Sequence, residues 1–134
     1  YAINLADNIQ GNCLLVSLEM TPEQITSKRV SRLTGITSAA LLSGRVTDSD
    51  WEEIARASSA LYEQGVYHNN RYDLTVQQIH LLAQSVPELR AVIIDYLGLI
   101  QPAVRGSSTY ENVSAISREL KRMAISLCSV ELFL

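Results

Sequence analysis

Ala91-Val92-Ile93-Ile94 is an unbroken apolar run, β-branched at three positions, and Asp95 closes it. Such a run has the pattern of a strand buried on both faces, the habit of parallel sheets. Cys13-Leu14-Leu15-Val16-Ser17-Leu18 repeats the pattern, and there Glu19 is the closing acid. Around these runs lie segments with helical start and stop signals. Residues Tyr1 to Gln10 carry Ala2, Ile3, Leu5, Ala6 and Ile9 at helical spacing before Gly11. Thr21-Pro22-Glu23-Gln24 supplies a cap, a first-turn proline and a capping-box glutamine for a helix to Thr34, which Gly35 ends. Thr37 caps a brief helix ending near Ser43-Gly44. Thr47-Asp48-Ser49-Asp50 opens a longer one, with Trp51, Ile54, Ala55, Ala57 and Leu61 on or near its inner face. Val66-Tyr67 is a short strand candidate before the polar loop Asn69-Asn70-Arg71. Thr75-Val76-Gln77-Gln78 opens a helix to Ser85, and Gln101 to Thr109 is a loop. Tyr110 to Leu127 forms a last helix with Val113, Ile116, Leu120, Met123 and Leu127 on one stripe. Strands alternating with crossover-length helices predict an α/β fold with a mostly parallel sheet.

The 134 residues make one domain rather than two. Apolar residues at 47% and charged residues at 19% are a globular balance, not that of a disordered chain. Eleven basic against fourteen acidic side chains give a net charge of −3, so any nucleic-acid contact is local rather than a basic coat. No apolar run approaches the roughly 18 residues that span a bilayer, and no secretory signal is visible. Cys13 and Cys128 stand apart, without a Cys or His at metal-ligand spacing. A reduced, cytoplasmic setting without membrane attachment is the expectation.

In open parallel sheets ligands sit beyond the carboxyl ends of the strands. Glu19 and Asp95 both follow apolar strand runs. Nucleotide hydrolases use one such acid to organise Mg²⁺ and another to polarise the attacking water. A strand end also carries an acid simply where the chain surfaces, so each acid alone says little. Two on one sheet favour a site.

Ser17-Leu18-Glu19-Met20 with Thr21-Pro22-Glu23-Gln24, then Ser43-Gly44-Arg45 with Asp50-Trp51, then Asp95-Tyr96-Leu97-Gly98-Leu99-Ile100, then the stretch from Tyr110 to Lys121 stand in a fixed order. This ordered set resembles the motor domain of the DnaB-type replicative DNA helicases, over nearly all of Tyr1 to Ser126. The resemblance implies a RecA-like three-layer fold, incomplete at both ends, as one partial ATPase domain over residues 1–134. It implies a hexameric ring around single-stranded DNA that hydrolyses ATP between subunits, with primase and a helicase loader as further partners. It assigns Glu19 to polarising the water that attacks the γ-phosphate, and Asp95 to holding Mg²⁺ directly or through water. The resemblance also implies that the segment from Gln101 to Asn112 faces the ring channel, with Arg105, Gly106, Ser107 and Asn112 as the DNA-binding candidates.

The family's Gly-rich phosphate loop would precede the first helix, but no Gly-x-x-x-x-Gly-Lys-Ser/Thr occurs in the sequence. The 134 residues by themselves are therefore expected to be inactive, and an alternative is a non-catalytic remnant or decoy that binds helicase subunits. A related recombination or repair ATPase fits the quoted segments less well. The tail Cys128 to Leu134 reads as a truncation product, as shifted sequence, or as an edge element with Glu131 exposed.

Other features have plainer readings. Lys28, Arg29 and Arg32 share a helix and read as a solvated face, as do Arg118, Lys121 and Arg122. His68 and His80 have no partner at ligand spacing. Trp51 reads as a core anchor, Arg45 as a structural or interface contact, and Tyr96 either lines the nucleotide site or packs.

Overall fold

A computed structural model describes residues 1–69, 71–102, 109–127 and 131–133. In chain order the elements are α1 (Ala2–Ala6), β1 (Asn12–Ser17), α2 (Pro22–Thr34), α3 (Ser38–Ser43), α4 (Asp48–Glu63), β2 (Val66–His68), α5 (Val76–Ser85), β3 (Leu89–Asp95), a 3₁₀ turn Leu97–Leu99, α6 (Thr109–Ser126) and β4 (Glu131–Phe133). The strands form one sheet in the order β2-β1-β3-β4, and all three pairings are parallel.

The two apolar runs are the central strands, β1 and β3, and each feeds both faces of the sheet. Leu14, Val16, Val92 and Ile94 point into a core closed by Ile79 and Ala83 of α5 and by Ile116, Leu120 and Met123 of α6. Cys13, Leu15, Ala91 and Ile93 point the opposite way, against Ala6 of α1 and Ile25 of α2. This alternation explains why the runs are apolar apart from the buried Ser17, since neither face meets water. The result is three layers, with α1 and α2 on one side and α5 and α6 on the other. A smaller cluster of Val30, Ala57 and Leu61 lays α4 on the outside of α2.

Helix starts follow the sequence signals closely. Thr21 with Gln24, Thr47 with Asp50 and Thr75 with Gln78 all form reciprocal capping boxes. The first helix is shorter than its apolar spacing predicts. After Ala6 the chain tightens into three-residue bonds, Asn8 N–H to the Leu5 carbonyl and Ile9 N–H to the Ala6 carbonyl. The Asn8 side chain meanwhile donates to the Asn4 carbonyl at 2.6 Å, so a local side-chain bond competes with the helical ladder.

Trp51 is not a core anchor. It stands 58% exposed, on the wall of an apolar groove of about 420 Å³ that Val30, Leu41, Leu42 and Ile54 also line. Ile54, Ala57 and Leu61 already occupy the face that α4 turns to α2, and Trp51 in the opening turn is left on the wall of the groove. Ala55 and Val113 likewise face solvent. The tail does form an edge element: β4 pairs outside β3, with Glu131 opposite Ala91, and Cys128 lies outside the described residues.

Gly65 enters β2 at φ +66°, and a Cβ there would lie 2.1 Å from Asn12 Oδ1. Its carbonyl accepts from Cys13 N–H at 3.0 Å, so the backbone cannot easily withdraw. Gly65→Ala is expected to cost about 2 kcal/mol or more, lowering the thermal midpoint by roughly 8 °C in a melt followed by circular dichroism.

Candidate functional site

The connections place a crevice between β1 and β3. The chain leaving β1 passes through α2, α3 and α4 to β2 at one edge, whereas the chain leaving β3 passes through α6 to β4 at the other. Neighbouring strands whose connections depart in opposite directions open a gap at their carboxyl ends, where α/β sheets bind ligands. Both strand-end acids sit at this gap. Ser17 pairs with Asp95, and Leu18 N–H extends the ladder by donating to the Asp95 carbonyl at 3.0 Å. Glu19 follows in the bend beyond β1. The strands lie about 4.8 Å apart, and Glu19 stands two residues past Ser17.

The two acids differ in setting. Glu19 is exposed, whereas Asp95 is half-buried. Asp95 borders a cleft of about 390 Å³ whose walls are the opening of α1, Met20, and Lys28, Ser31 and Arg32 of α2. Lys28 has its Nζ 3.5 Å from Met20 Sδ and makes no ion pair among the described residues. The cleft therefore offers a carboxylate and an ammonium to the same space. Carboxylate oxygens are hard donors of the kind Mg²⁺ prefers. Among the described residues no three His, Cys, Asp or Glu side chains gather as a metal cage. One carboxylate with phosphate and water oxygens completing the shell is the usual Mg²⁺ arrangement, and the donor set fits it.

The basic cluster on α2 is solvated at Lys28 and Arg32 but not at Arg29. Arg29 is 6% exposed, and its Nε lies 2.7 Å from Asp7 Oδ1. Its other arm donates to Gln64 at 2.9 Å. Arg32 holds the second Asp7 oxygen at 2.8 Å from a more exposed position. Helical spacing put the signal in view, since Arg29 stands four residues after the buried Ile25 and so on its face. Lys28 alone of the three remains exposed without an ion-pair partner among the described residues.

Asn69 is the other residue that the loop reading missed. It is 3% exposed, and its side-chain amide binds the backbone of Ser17. Nothing in the pattern Asn69-Asn70-Arg71 separates it from an ordinary loop asparagine.

The remaining candidates scatter. Arg105, Gly106 and Ser107 lie outside the described residues, and Asn112 sits half-buried in the first turn of α6. His68 is half-buried at the end of β2; burial first, then the Arg29 guanidinium, holds its imidazole below the usual histidine range. His80 meets Ser126 Oγ at 3.2 Å on the outer surface of α5 and α6. Tyr96, joined to Asp95 by a cis peptide, is half exposed beside Gly98 and does not border the cleft. Burial pushes the Cys13 thiol up to about 11, leaving it an inert core side chain.

Comparison with known proteins gives a consistent answer. The chain is 33% identical to the replicative DNA helicase DnaB of Nostoc sp. over 95% of its own length and 15% of that protein's. It is 30% identical to the replicative DNA helicase DnaC of Bacillus subtilis, over 95% of this chain and 30% of that one. The chain thus spans less than a third of these relatives. A solved DnaB-like replicative helicase, studied for its interactions with primase, superposes with a TM-score of 0.82 at 27% identity, covering 99% of this chain and 33% of that one. The three layers are accordingly those of a RecA-like helicase ATPase domain. Residues 1–130 match the DnaB-like helicase C-terminal domain, and the chain belongs to that family.

Proposed function

We propose that this chain is part of the motor of an ATP-dependent replicative DNA helicase, and that ATP is hydrolysed at the crevice between β1 and β3. The observation that carries the reading is the placement of Glu19 and Asp95 at the carboxyl ends of adjacent parallel strands where the connections diverge. Glu19, free at the mouth, accepts a proton from the water that attacks the γ-phosphate and so aims its lone pair. Asp95, half-buried beside the cleft, holds Mg²⁺ directly or through water. A Mg²⁺ ion held there would supply positive charge against the phosphate groups. Lys28 adds positive charge to the same cleft. The bond from the γ-phosphorus to the bridging oxygen breaks, and ADP and phosphate leave.

Hydrolysis of this kind drives movement along single-stranded DNA and duplex unwinding in a hexameric assembly. Arg105, Gly106, Ser107 and Asn112 are the groups proposed to meet the DNA backbone, where a few contacts per subunit suffice when six subunits contribute. Primase and a helicase loader are the protein partners on this reading, and the setting is the cytoplasm. The 134 residues alone hydrolyse no ATP, because no Gly-Lys-Ser/Thr phosphate loop occurs among them.

Asp95→Asn tests the reading. In the assembled ATPase it is expected to lower turnover by about 10²-fold and to raise the Mg²⁺ concentration needed for half-maximal rate. Wild-type turnover with an unaltered Mg²⁺ profile would remove Asp95 from the site.

A further inference from the structure

Among the described residues no side-chain hydrogen bond fixes the Glu19 carboxylate, yet a water-orienting carboxylate must be held to within a fraction of an ångström. The bend that carries it is instead pinned from three directions. On the β3 side, Leu18 N–H donates to the Asp95 carbonyl at 3.0 Å. On the β2 side the neighbouring strand has already ended at His68, which pairs with Leu15, two residues short of Ser17. In a parallel strand the N–H and C=O of one residue point to the same side, so both Ser17 groups would be left unpaired in a buried place.

The Asn69 side chain fills that gap. Ser17 N–H donates to Asn69 Oδ1 at 2.8 Å, and Asn69 Nδ2 donates to the Ser17 carbonyl at 2.9 Å. The amide thus stands in for the missing residue of β2. The same Nδ2 also donates to the Arg71 carbonyl, tying the amide to the loop beyond β2. Ser17 and Asn69 are 2% and 3% exposed, so water cannot substitute for these bonds. From the clamped Ser17 the hydroxyl then accepts Met20 N–H at 3.1 Å, closing the bend directly over Glu19.

We propose that Asn69 and Ser17 are positioning residues that set the Glu19 carboxylate against the crevice, Asn69 through the Ser17 backbone and Ser17 through the Met20 amide. The proposal rests on the role given to Glu19 above. Its structural half is independent of ATP and is read by amide hydrogen exchange on the 134-residue chain. Asn69→Ala is expected to speed exchange at residues 17–20 about tenfold while the core amides of β3 stay protected. Ser17→Ala, which leaves the backbone ladder intact, is expected to speed exchange at Met20 alone, and Ser17→Thr to restore it. Unchanged exchange at 17–20 in Asn69→Ala overturns the proposal. Should that variant fail to fold, the Ser17→Ala and Ser17→Thr pair decides by the same criterion.

The functional half is read in the assembled ATPase. Both alanine variants are expected to lower kcat roughly 10- to 100-fold with KM for ATP unchanged, and Ser17→Thr to recover most of the rate. A loosened bend with wild-type kcat, in a background where Glu19→Gln abolishes turnover, overturns the positioning role. Wild-type turnover in Glu19→Gln instead overturns the assignment of Glu19 itself, and the positioning proposal falls with it. The two failures are therefore told apart by one additional variant.

Discussion

Glu19→Gln in the assembled ATPase is expected to lower kcat about 10³-fold while KM for ATP stays within about twofold. The amide keeps the size of the side chain and its capacity to hydrogen-bond water, but it cannot take up a proton as a carboxylate does. The loss is thus confined to the chemical step, the signature of an interaction made only in the transition state. The structure makes this a clean experiment. Glu19 is exposed in the bend, and Leu18 and Met20 on either side are held by backbone amides rather than by the acid itself. The thermal midpoint should therefore not move. Turnover within tenfold of wild type, measured by phosphate release at saturating Mg²⁺, would leave the water to be activated by another group.

That Glu19 and Asp95 share one rim is legible in the sequence because two unbroken apolar runs admit few arrangements. Each run has to be covered on both faces, which calls for a parallel sheet, and a parallel sheet brings like ends together. The capping boxes at Thr21, Thr47 and Thr75 are local chemistry and appear where the sequence puts them. Misreadings occur where a residue's partner lies far along the chain. Arg29 looks like a solvated cation until Asp7, 22 positions earlier, is brought against it. Asn69 looks like a turn residue until β1 is found to outrun β2 by two residues. Trp51 has a core residue's size, but α2 and α3 across from it leave an open groove instead of closing over it. Periodicity reports which face of a helix is apolar; it says nothing about how far along that face the neighbour extends.

Asp7→Ala is expected to be the most destabilising of the polar substitutions, by about 3 kcal/mol. Removing the carboxylate strands a guanidinium that is 6% exposed, with the Gln64 oxygen at 2.9 Å as its remaining side-chain partner among the described residues. Breaking one side of a buried pair costs more than the pair contributes, because the surviving charge stays desolvated. Arg32→Ala removes the other contact to Asp7, but that side chain is 44% exposed, so its loss is expected to cost less than about 1 kcal/mol. Replacing both buried partners, Asp7→Leu with Arg29→Met, is expected to recover most of the loss. Urea midpoints for the four proteins check the order, and a loss below about 1 kcal/mol for Asp7→Ala would mean the pair is wet rather than buried. The consequence reaches the cleft. Asp7 follows directly on α1, whose opening residues form one wall, and its two arginine partners belong to α2, which forms the other. The ion pairs therefore set the separation of the two walls, and Asp7→Ala should raise KM for ATP in the assembled protein even at temperatures where the fold survives.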